Sequence, residues 1–337
     1  MAYITLNRSN FYHNLSQIAL KTGSLDKIAI VLKDNAYGHG ALLMARLASE
    51  FGISKAVVRN HIEALEIEQY FDDIIVLGGE IHPKPNLSFT INSLEALKAA
   101  PSETRIELKV DTGMHRNGIM ASELDEAIDI IKKRELNLVG VMSHFASADE
   151  LGSEYFYQYQ NFKDAKKKIL SQGFQGVRFH IHNSAGILRC GGEFEEDLVR
   201  LGIGAYGHSH MPLSFGDMNL KPVMSLYAKR VSTKTLQKGA RIGYGGEYQV
   251  PQDMTVSTYD IGYGDGWRRG NPFDPYVTHD SGPILGKVSM DLVSLEGDKE
   301  EVCIMKDALI ASKYYHTISY EITCALHSRI ERIIVDS

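Results

Sequence analysis

Short apolar runs rich in β-branched residues alternate with helix-period stretches through the first two thirds of the chain. Eight runs of this kind are found, at Ile28–Leu32, Lys55–Val58, Ile74–Leu77, Leu87–Ile91, Arg105–Val110, Leu138–Ser143, Val177–Ile181 and Leu201–Ala205. Strands that alternate with helices pair in parallel. Eight such units in about 210 residues predict a (β/α)₈ barrel, a fold of about 250 residues.

Helix-period stretches lie between most of these runs. They cover Ala41–Phe51, Ile62–Tyr70, Leu94–Ala99, Glu123–Arg134 and Tyr155–Ser171, and a further helix at about Asn10–Leu20 precedes the first strand. Asn7 or Ser9 is the predicted N-cap of that first helix. The alternative is an open doubly wound sheet, which would place a Gly-rich fingerprint after its first strand. Here that strand is followed by KDNAYGHG and not by GxGxxG.

The pattern changes after about Leu220, where helix-period stretches become rare. Strands are predicted at Val223–Val231, Thr255–Tyr259, Ile284–Val288 and Val302–Met305, separated by turn-rich segments. We therefore expect an α/β chain with two domains: a barrel over residues 1–219 and a smaller, mainly β domain over residues 220–337.

Composition excludes several classes of protein. The net charge is −6, from 36 Lys+Arg and 42 Asp+Glu, which argues against a nucleic-acid surface. No run approaches the roughly 18–20 apolar residues of a membrane span, and the first ten residues lack the apolar core of a signal peptide. Cys190, Cys303 and Cys324 lie far apart, giving neither a disulfide framework nor a cysteine metal site. A reducing cytoplasm is the expected compartment.

Polar side chains follow the apolar runs at the strand ends where a barrel gathers its chemistry. They are Lys33, Tyr37, Lys109, Asp111, Arg116, His144, His182, Asn183 and Ser184, with Arg200 just before the eighth run. The NSAG segment after the seventh run and the glycines of LGIGAYG predict a phosphate site, although Asn183 and Ser184 could also simply cap a helix. A lysine shielded from solvent can form a Schiff base. Together with a phosphate site, Lys33 therefore predicts pyridoxal 5′-phosphate (PLP).

Nine segments in order resemble the motifs of alanine racemases, fold-type-III PLP enzymes. They are VLKDNAYGHG (31–40), LKVDTGMHRNG (108–118), SHFASADE (143–150), HNSAG (182–186), VRLGIGAYG (199–207), IGYGGEY (242–248), IGYGDG (261–266), GKVSMD (286–291) and ISYEI (318–322). The resemblance runs from about Leu6 to Arg332. It implies interconversion of L-alanine and D-alanine in the cytoplasm, supplying D-alanine for peptidoglycan.

The resemblance also implies a role for each matching residue in holding the cofactor. Lys33 would carry it through a Schiff base, and Arg200 would face the pyridine nitrogen. The phosphate would be bound by Tyr37, Ser184, the amides of Gly202 and Ile203, and Tyr320. Leu77 and Asn183 would pack on the cofactor or bond to it.

Catalytic roles are implied in the same way. Lys33 and Tyr244 would be two bases on opposite faces of the substrate, with His144 behind the tyrosine. The substrate would be held by Arg116, by the backbone of Met290 and by Tyr263 at the entry. Lys109 matches a position that is carbamylated in some relatives, where the resulting anion orients the arginine. Because Tyr244 and Met290 fall in the β domain, the resemblance implies a homodimer whose sites each need two subunits.

Three residues depart from the family pattern, namely His115, Asn117 and His182, and each could alter the size or polarity of the pocket. They leave open a racemase of broader specificity that also accepts other small amino acids such as serine. A metal-dependent barrel hydrolase is a further alternative, because His180 and His182, and also His208 and His210, form H-x-H pairs. Both pairs come late in the chain, and we interpret them as structural or surface histidines. No metal site is expected.

Overall fold

The computed structural model describes residues 1–192, 194–216 and 218–336. The strands, in chain order, are β1 (Tyr3–Asn7), β2 (Ile28–Val31), β3 (Lys55–Val58), β4 (Asp73–Val76), β5 (Leu87–Ile91), β6 (Arg105–Lys109), β7 (Asn137–Met142), β8 (Arg178–His180), β9 (Val199–Leu201), β10 (Met224–Leu236), β11 (Arg241–Ile242), β12 (Tyr248–Gln249), β13 (Met254–Tyr259), β14 (Val277–Thr278), β15 (Gly282–Pro283), β16 (Val293–Glu296), β17 (Glu301–Met305) and β18 (Glu331–Val335). The helices are α1 (Arg8–Thr22), α2 (Lys33–Tyr37), α3 (Ala41–Glu50), α4 (His61–Ile67), α5 (Leu94–Ala99), α6 (Leu124–Lys133), α7 (Glu154–Ser171), α8 (Ser184–Arg189), α9 (Ala308–Tyr314) and α10 (Ser319–Ala325).

Eight parallel strands form the barrel, in the order β9-β2-β3-β4-β5-β6-β7-β8. Two backbone hydrogen bonds bridge the remaining gap. Asp197 N–H donates to the Phe179 carbonyl at 3.1 Å, and Arg200 N–H donates to the His182 carbonyl at 2.9 Å. The predicted barrel of parallel strands and helices is thus confirmed.

Two of the predicted strands are wrong. The eighth barrel strand is β9 and ends at Leu201, because Gly202 leaves the strand conformation and a 3₁₀ turn covers Ile203–Tyr206. The Ile284–Val288 segment is apolar because it packs in the core, but it belongs to no strand. Burial alone therefore produced a strand-like pattern at both places.

Local signals explain where the helices begin. The Asn7 side chain accepts a hydrogen bond from the Asn10 amide and caps α1, one of the two N-caps expected from the sequence. Helix α6 buries Leu124, Ala127, Ile128 and Ile131, the face that the sequence pattern predicted.

The second sheet is mainly antiparallel, with the order β16-β13-β10-β1-β18 and β17 paired to β10. Strand β1, inside this sheet, comes from the start of the chain and pairs antiparallel with β10 and parallel with β18. Ile4 and Leu6 of β1 are fully buried in a core shared with barrel strands. Residues 3–7 therefore lie in the sheet of the second domain, and the boundary at 219/220 otherwise stays a prediction.

Candidate active site

A cavity of about 670 Å³ opens at the carboxyl ends of the barrel strands. Twelve of the fifteen site residues expected from the sequence line it: Lys33, Tyr37, Leu77, Lys109, Arg116, His144, Asn183, Ser184, Arg200, Gly202, Ile203 and Tyr320. Parallel strands bring their carboxyl ends to one edge, so residues scattered over the sequence meet there.

Lys33 begins a single left-handed turn, α2. Residues 34–37 have φ values of 53°, 55°, 52° and 53°, although none of them is glycine. This conformation costs roughly 1–2 kcal/mol per residue, so other contacts must hold it. Asp34 N–H donates to Glu63 Oε1 at 2.8 Å, and Ala36 N–H donates to the Leu32 carbonyl at 2.8 Å. The turn brings both Lys33 and Tyr37 to the cavity wall.

Ser184 forms the centre of a cradle of small groups. Its Oγ accepts hydrogen bonds from the amides of Gly202 at 3.0 Å and Gly204 at 3.1 Å. Since both contacts use Oγ as the acceptor, its own proton is left to donate to another group. A Cβ on Gly202 would lie 2.7 Å from Tyr37 Oη, so only glycine fits. The Ser184 hydroxyl is thus placed to donate to a phosphate group, whereas the Gly202 amide, which was expected to bind phosphate, is paired with Ser184 Oγ.

Two tyrosines stand beside this cradle. The rings of Tyr37 and Tyr320 meet edge to face, with centroids 5.6 Å apart. Burial raises the pKa of each phenol above its usual value of 10. Both therefore stay protonated at neutral pH and can donate hydrogen bonds to an anion.

Arg200 is the buried cation beneath the cavity. Its Nη2 donates to the Ser143 carbonyl at 2.5 Å and lies 3.2 Å from His144 Nδ1. Its Nη1 lies 2.6 Å from His180 Nδ1. Burial lowers the pKa of Arg200 to about 10, so the guanidinium remains charged at neutral pH.

His144 is held in one tautomer by this arginine. A guanidinium only donates hydrogen bonds, so His144 Nδ1 must accept and the ring proton lies on Nε2. Burial, and then the charge of Arg200, lower the pKa of His144 well below its usual value. The ring is therefore neutral. Asn183 Nδ2 also faces His144 Nε2, at 3.3 Å, but this contact is not a hydrogen bond in that tautomer, because both atoms carry protons; Asn183 Oδ1 accepts from the Gly186 amide.

Lys109 lies beside a second arginine. Burial lowers its pKa to about 8, and the charges of Arg116 and Arg200 act in the same direction. Its ammonium donates to Asn117 Oδ1. Of the three departures from the family pattern, Asn117 is thus the one that lines the cavity.

The other two departures point elsewhere. His115 is largely exposed and lies 3.3 Å from Asp111 Oδ2. His182 is buried behind the cavity among Phe145, Tyr155, Tyr159 and Phe194. The possibility that His182 alters the pocket directly is therefore wrong, since it does not line the cavity.

Three expected site residues lie on the β domain and not in this cavity. Tyr244, Met290 and Tyr263 are 68%, 55% and 44% exposed. Their loops are linked: Gly264 N–H donates to the Met290 carbonyl at 2.8 Å, and Lys287 bonds Glu247 near Tyr244. The loops that carry the three exposed side chains are thus joined to one another, and none of the three side chains lines the cavity.

The members of each H-x-H pair contact different partners. His208 and His210 both line the cavity, where His208 Nδ1 lies 3.5 Å from Asp307 Oδ1 and His210 Nε2 lies 3.0 Å from Ser319 Oγ. His180 contacts Arg200 and Glu107, whereas His182 Nδ1 lies 3.2 Å from Glu196. His180 and His182 do not share one face of a strand, because β8 ends at His180. Among the residues that the structure describes, there is no group of three or more His, Cys, Asp or Glu side chains arranged to hold a metal.

The sequence analysis did not predict Glu107 or the contact of His180 with Arg200. Glu107 is a fully buried carboxylate inside the barrel, and His180 joins it to Arg200. A signal for Glu107 exists, because it lies two residues before Lys109 on a strand and therefore shares its inward face. An acidic residue in a buried strand is rarely placed there without a partner.

Comparison with known protein families decides the class. The profile "Alanine racemase, N-terminal domain" matches residues 6–210, and "Alanine racemase, C-terminal domain" matches residues 223–334. The chain belongs to the alanine racemase family. It is therefore an isomerase that racemises alanine, in a family that depends on PLP.

Individual alanine racemases match along the whole chain. The alanine racemase of Campylobacter jejuni subsp. jejuni serotype O:23/36 (strain 81-176) is 43% identical, over 99% of this chain and 100% of its own. That of a Nitratiruptor species is 41% identical over 100% of both chains. Among solved structures, the alanine racemase from Bacillus anthracis with bound L-Ala-P has a TM-score of 0.87 at 28% identity, covering 99% of this chain and 95% of that one.

The metal-dependent hydrolase alternative is not supported by these relatives.

Within the described residues, no helix has the length and apolar character that crossing a membrane requires.

Proposed function

We propose that this alanine racemase binds PLP through Lys33, and that its active site is completed by Tyr244 of a second subunit. The proposal rests on the separation of the expected site residues into two groups. The lysine, the phosphate cradle and Arg200 line one cavity, whereas Tyr244, Tyr263 and Met290 are exposed on the β domain.

The residues of the cavity fit the cofactor from end to end. The hydroxyl groups of Ser184, Tyr37 and Tyr320, with the amide of Ile203, would hold the phosphate. Arg200 would face the pyridine nitrogen as a permanent donor, and Leu77 and Asn183 would pack beside the ring. When bound, PLP supplies an electron-withdrawing ring that makes the α-proton of the amino acid acidic.

Lys33 and Tyr244 would then move the proton. Racemisation removes it from one face of the α-carbon and returns one to the other, so two groups on opposite faces suffice. A free phenol has a pKa near 10 and is a weak base at neutral pH. Because His144 carries its ring proton on Nε2, that N–H can donate to the oxygen of Tyr244 and favour its charged form.

Arg116 would bind the substrate carboxylate together with the backbone of Met290. Tyr263, on the loop joined to Met290, would narrow the entry. Lys109, held by Asn117, would lie beside Arg116, and its carbamylation would supply an anion that orients the arginine. Acceptance of other small amino acids stays a prediction, which solvent-deuterium exchange at the α-carbon of L-serine would measure.

The assembly would be a two-fold dimer with self-complementary contacts. The three exposed side chains of the β domain would cover the partner's cavity, and two sites would form per dimer. Supply of D-alanine for peptidoglycan in the cytoplasm is the corresponding role in the cell, and it also stays a prediction.

Solvent-deuterium exchange at the α-carbon tests these assignments. We expect Tyr244→Phe to slow proton removal from L-alanine more than from D-alanine, because each base serves one face. Lys33→Ala should abolish both reactions and leave PLP weakly held. Equal slowing with both enantiomers in Tyr244→Phe would count against the two-base assignment.

A further inference from the structure

A buried carboxylate lies inside the barrel, separated from Arg200 by a single side chain. Glu107 on β6 has no exposed surface. Its side chain occupies the space that a Cβ on Gly140 would fill, since that atom would lie 1.8 Å from Oε2. The carboxylate is therefore fixed in place by the glycine of the neighbouring strand.

Both oxygens of Glu107 accept hydrogen bonds. Arg178 Nε donates to Oε1 at 2.7 Å, and His180 Nε2 lies 3.0 Å from Oε2. Ser88 Oγ lies 3.4 Å from Oε1. Burial alone would raise the pKa of Glu107, but its basic neighbours outweigh this and lower it on balance. Glu107 is thus ionised.

His180 connects this carboxylate to Arg200. Arg200 Nη1 lies 2.6 Å from His180 Nδ1, and because a guanidinium only donates, Nδ1 must be the unprotonated acceptor. The ring proton then lies on Nε2 and points at Glu107. Burial lowers the pKa of His180 to about 4 despite the opposing charge of Glu107, so the ring is neutral.

The charges of the network leave one positive charge in excess. Asp73 and Glu107 are negative, and Arg105, Arg178 and Arg200 are positive. The anion nearest to Arg200 is separated from it by a neutral imidazole. A carboxylate in direct contact would neutralise the guanidinium, whereas this relay offsets its burial and leaves its charge directed at the cavity.

We propose that Glu107 is a positioning residue for racemisation: through His180 it fixes the orientation of Arg200 and keeps its charge directed at the cavity. The inference rests on the proposed placement of Arg200 against the cofactor ring. It assigns a function to a residue that touches neither substrate nor cofactor.

Glu107→Gln is the informative variant, because its size preserves the packing against Gly140. A carboxamide has one accepting oxygen, whereas Arg178 and His180 both present donors. If the oxygen faces Arg178, the amide forces the proton of His180 onto Nδ1, against the N–H of Arg200. We expect kcat for alanine to fall at least about tenfold while KM changes less than about threefold, since the lost hydrogen bond is made to His180 and not to the substrate.

Asp73→Asn is the matched control. It also removes a carboxylate that pairs with Arg178, but at the side away from His180. We expect its kcat to stay within about threefold of the wild type even if its stability falls. An equal fall of kcat in both variants would show that Glu107 acts only through general stability, and would overturn the proposal.

A second measurement is made on the wild-type protein and needs a variant only to assign one signal. ¹⁵N NMR of histidine-labelled wild-type protein, with and without PLP, should show His180 neutral at pH 7 with its proton on Nε2; His180→Gln assigns the signal. A proton on Nδ1 would overturn the proposal whatever Glu107→Gln does. Failure of the proposed function would be seen separately, as wild-type protein that neither binds PLP at Lys33 nor racemises alanine, and this inference would then fail with it.

Discussion

Ser184→Ala tests whether the predicted cradle binds the phosphate of PLP. The substitution removes Oγ, which accepts the Gly202 amide at 3.0 Å and the Gly204 amide at 3.1 Å. A buried donor left without a partner costs about 1–3 kcal/mol. Because a small shift can relieve part of this, we expect the free energy of unfolding of the PLP-free protein to fall by about 2–4 kcal/mol.

The same substitution removes the hydroxyl proton left to bind phosphate. A hydrogen bond to a charged group contributes about 1.5–3 kcal/mol, so the Kd for PLP should rise roughly 10- to 150-fold. Urea unfolding measures the first effect, and titration of the PLP-free protein followed by absorbance measures the second.

Ser171→Ala is the control, because that exposed hydroxyl bonds only its own helix, to the Lys168 carbonyl. It should leave PLP affinity unchanged and alter stability by less than about 0.5 kcal/mol. If Ser184→Ala matched this control in both measurements, the assignment of the cradle to phosphate would be refuted.

Two further substitutions address charge and packing inside the barrel. Lys109→Met should stabilise the protein by up to about 3 kcal/mol at pH 7.5. The folded Lys109 has a pKa of about 8, so above that pH the unfolded chain binds a proton that the folded chain lacks and wild-type stability rises. The advantage of Lys109→Met should therefore shrink by pH 9.5, and urea unfolding that shows the same difference at both pH values would contradict the lowered pKa. Gly140→Ala should lower the free energy of unfolding by about 3 kcal/mol, because its Cβ would lie 1.8 Å from the Glu107 carboxylate. Gly191→Ala, whose Cβ would meet nothing within 4 Å, is its control, and equal melting temperatures for the two would argue against the packing described.

The barrel could be predicted because its signal is repeated. Eight apolar runs at helical separations leave few alternatives, and each strand repeats the same pattern. The errors in strand prediction fall on residues that are buried but not paired in a strand. Ile203 and Ala205 are apolar because they are buried, yet they lie in a 3₁₀ turn that presents backbone amides to the cradle.

Long-range pairing was beyond the reach of local patterns. Nothing in Tyr3–Asn7 indicates that it crosses to the second sheet and pairs with strands more than two hundred residues away. The left-handed turn after Lys33 was likewise missed, because non-glycine residues adopt it only when tertiary contacts such as that of Glu63 hold them there.

The candidate site divides in the same way. Residues at strand ends were found because the fold itself brings them together. Glu107 was missed because its partners, His180 and Arg178, become neighbours only when β6, β7 and β8 pair, with Gly140 of β7 between Glu107 and Arg178. For Tyr244 the sequence gives the residue by family resemblance, and the single chain leaves its side chain exposed.

Mixing two inactive variants tests the shared active site most directly. Lys33→Ala keeps Tyr244, and Tyr244→Ala keeps Lys33, so a mixed dimer contains one intact site and one doubly defective site. After unfolding and refolding together in equal amounts, half of the dimers should be mixed, and about a quarter of wild-type racemase activity should return. If both variants are folded and form mixed dimers but no activity returns, the two residues do not act across the subunit contact, and the account is contradicted.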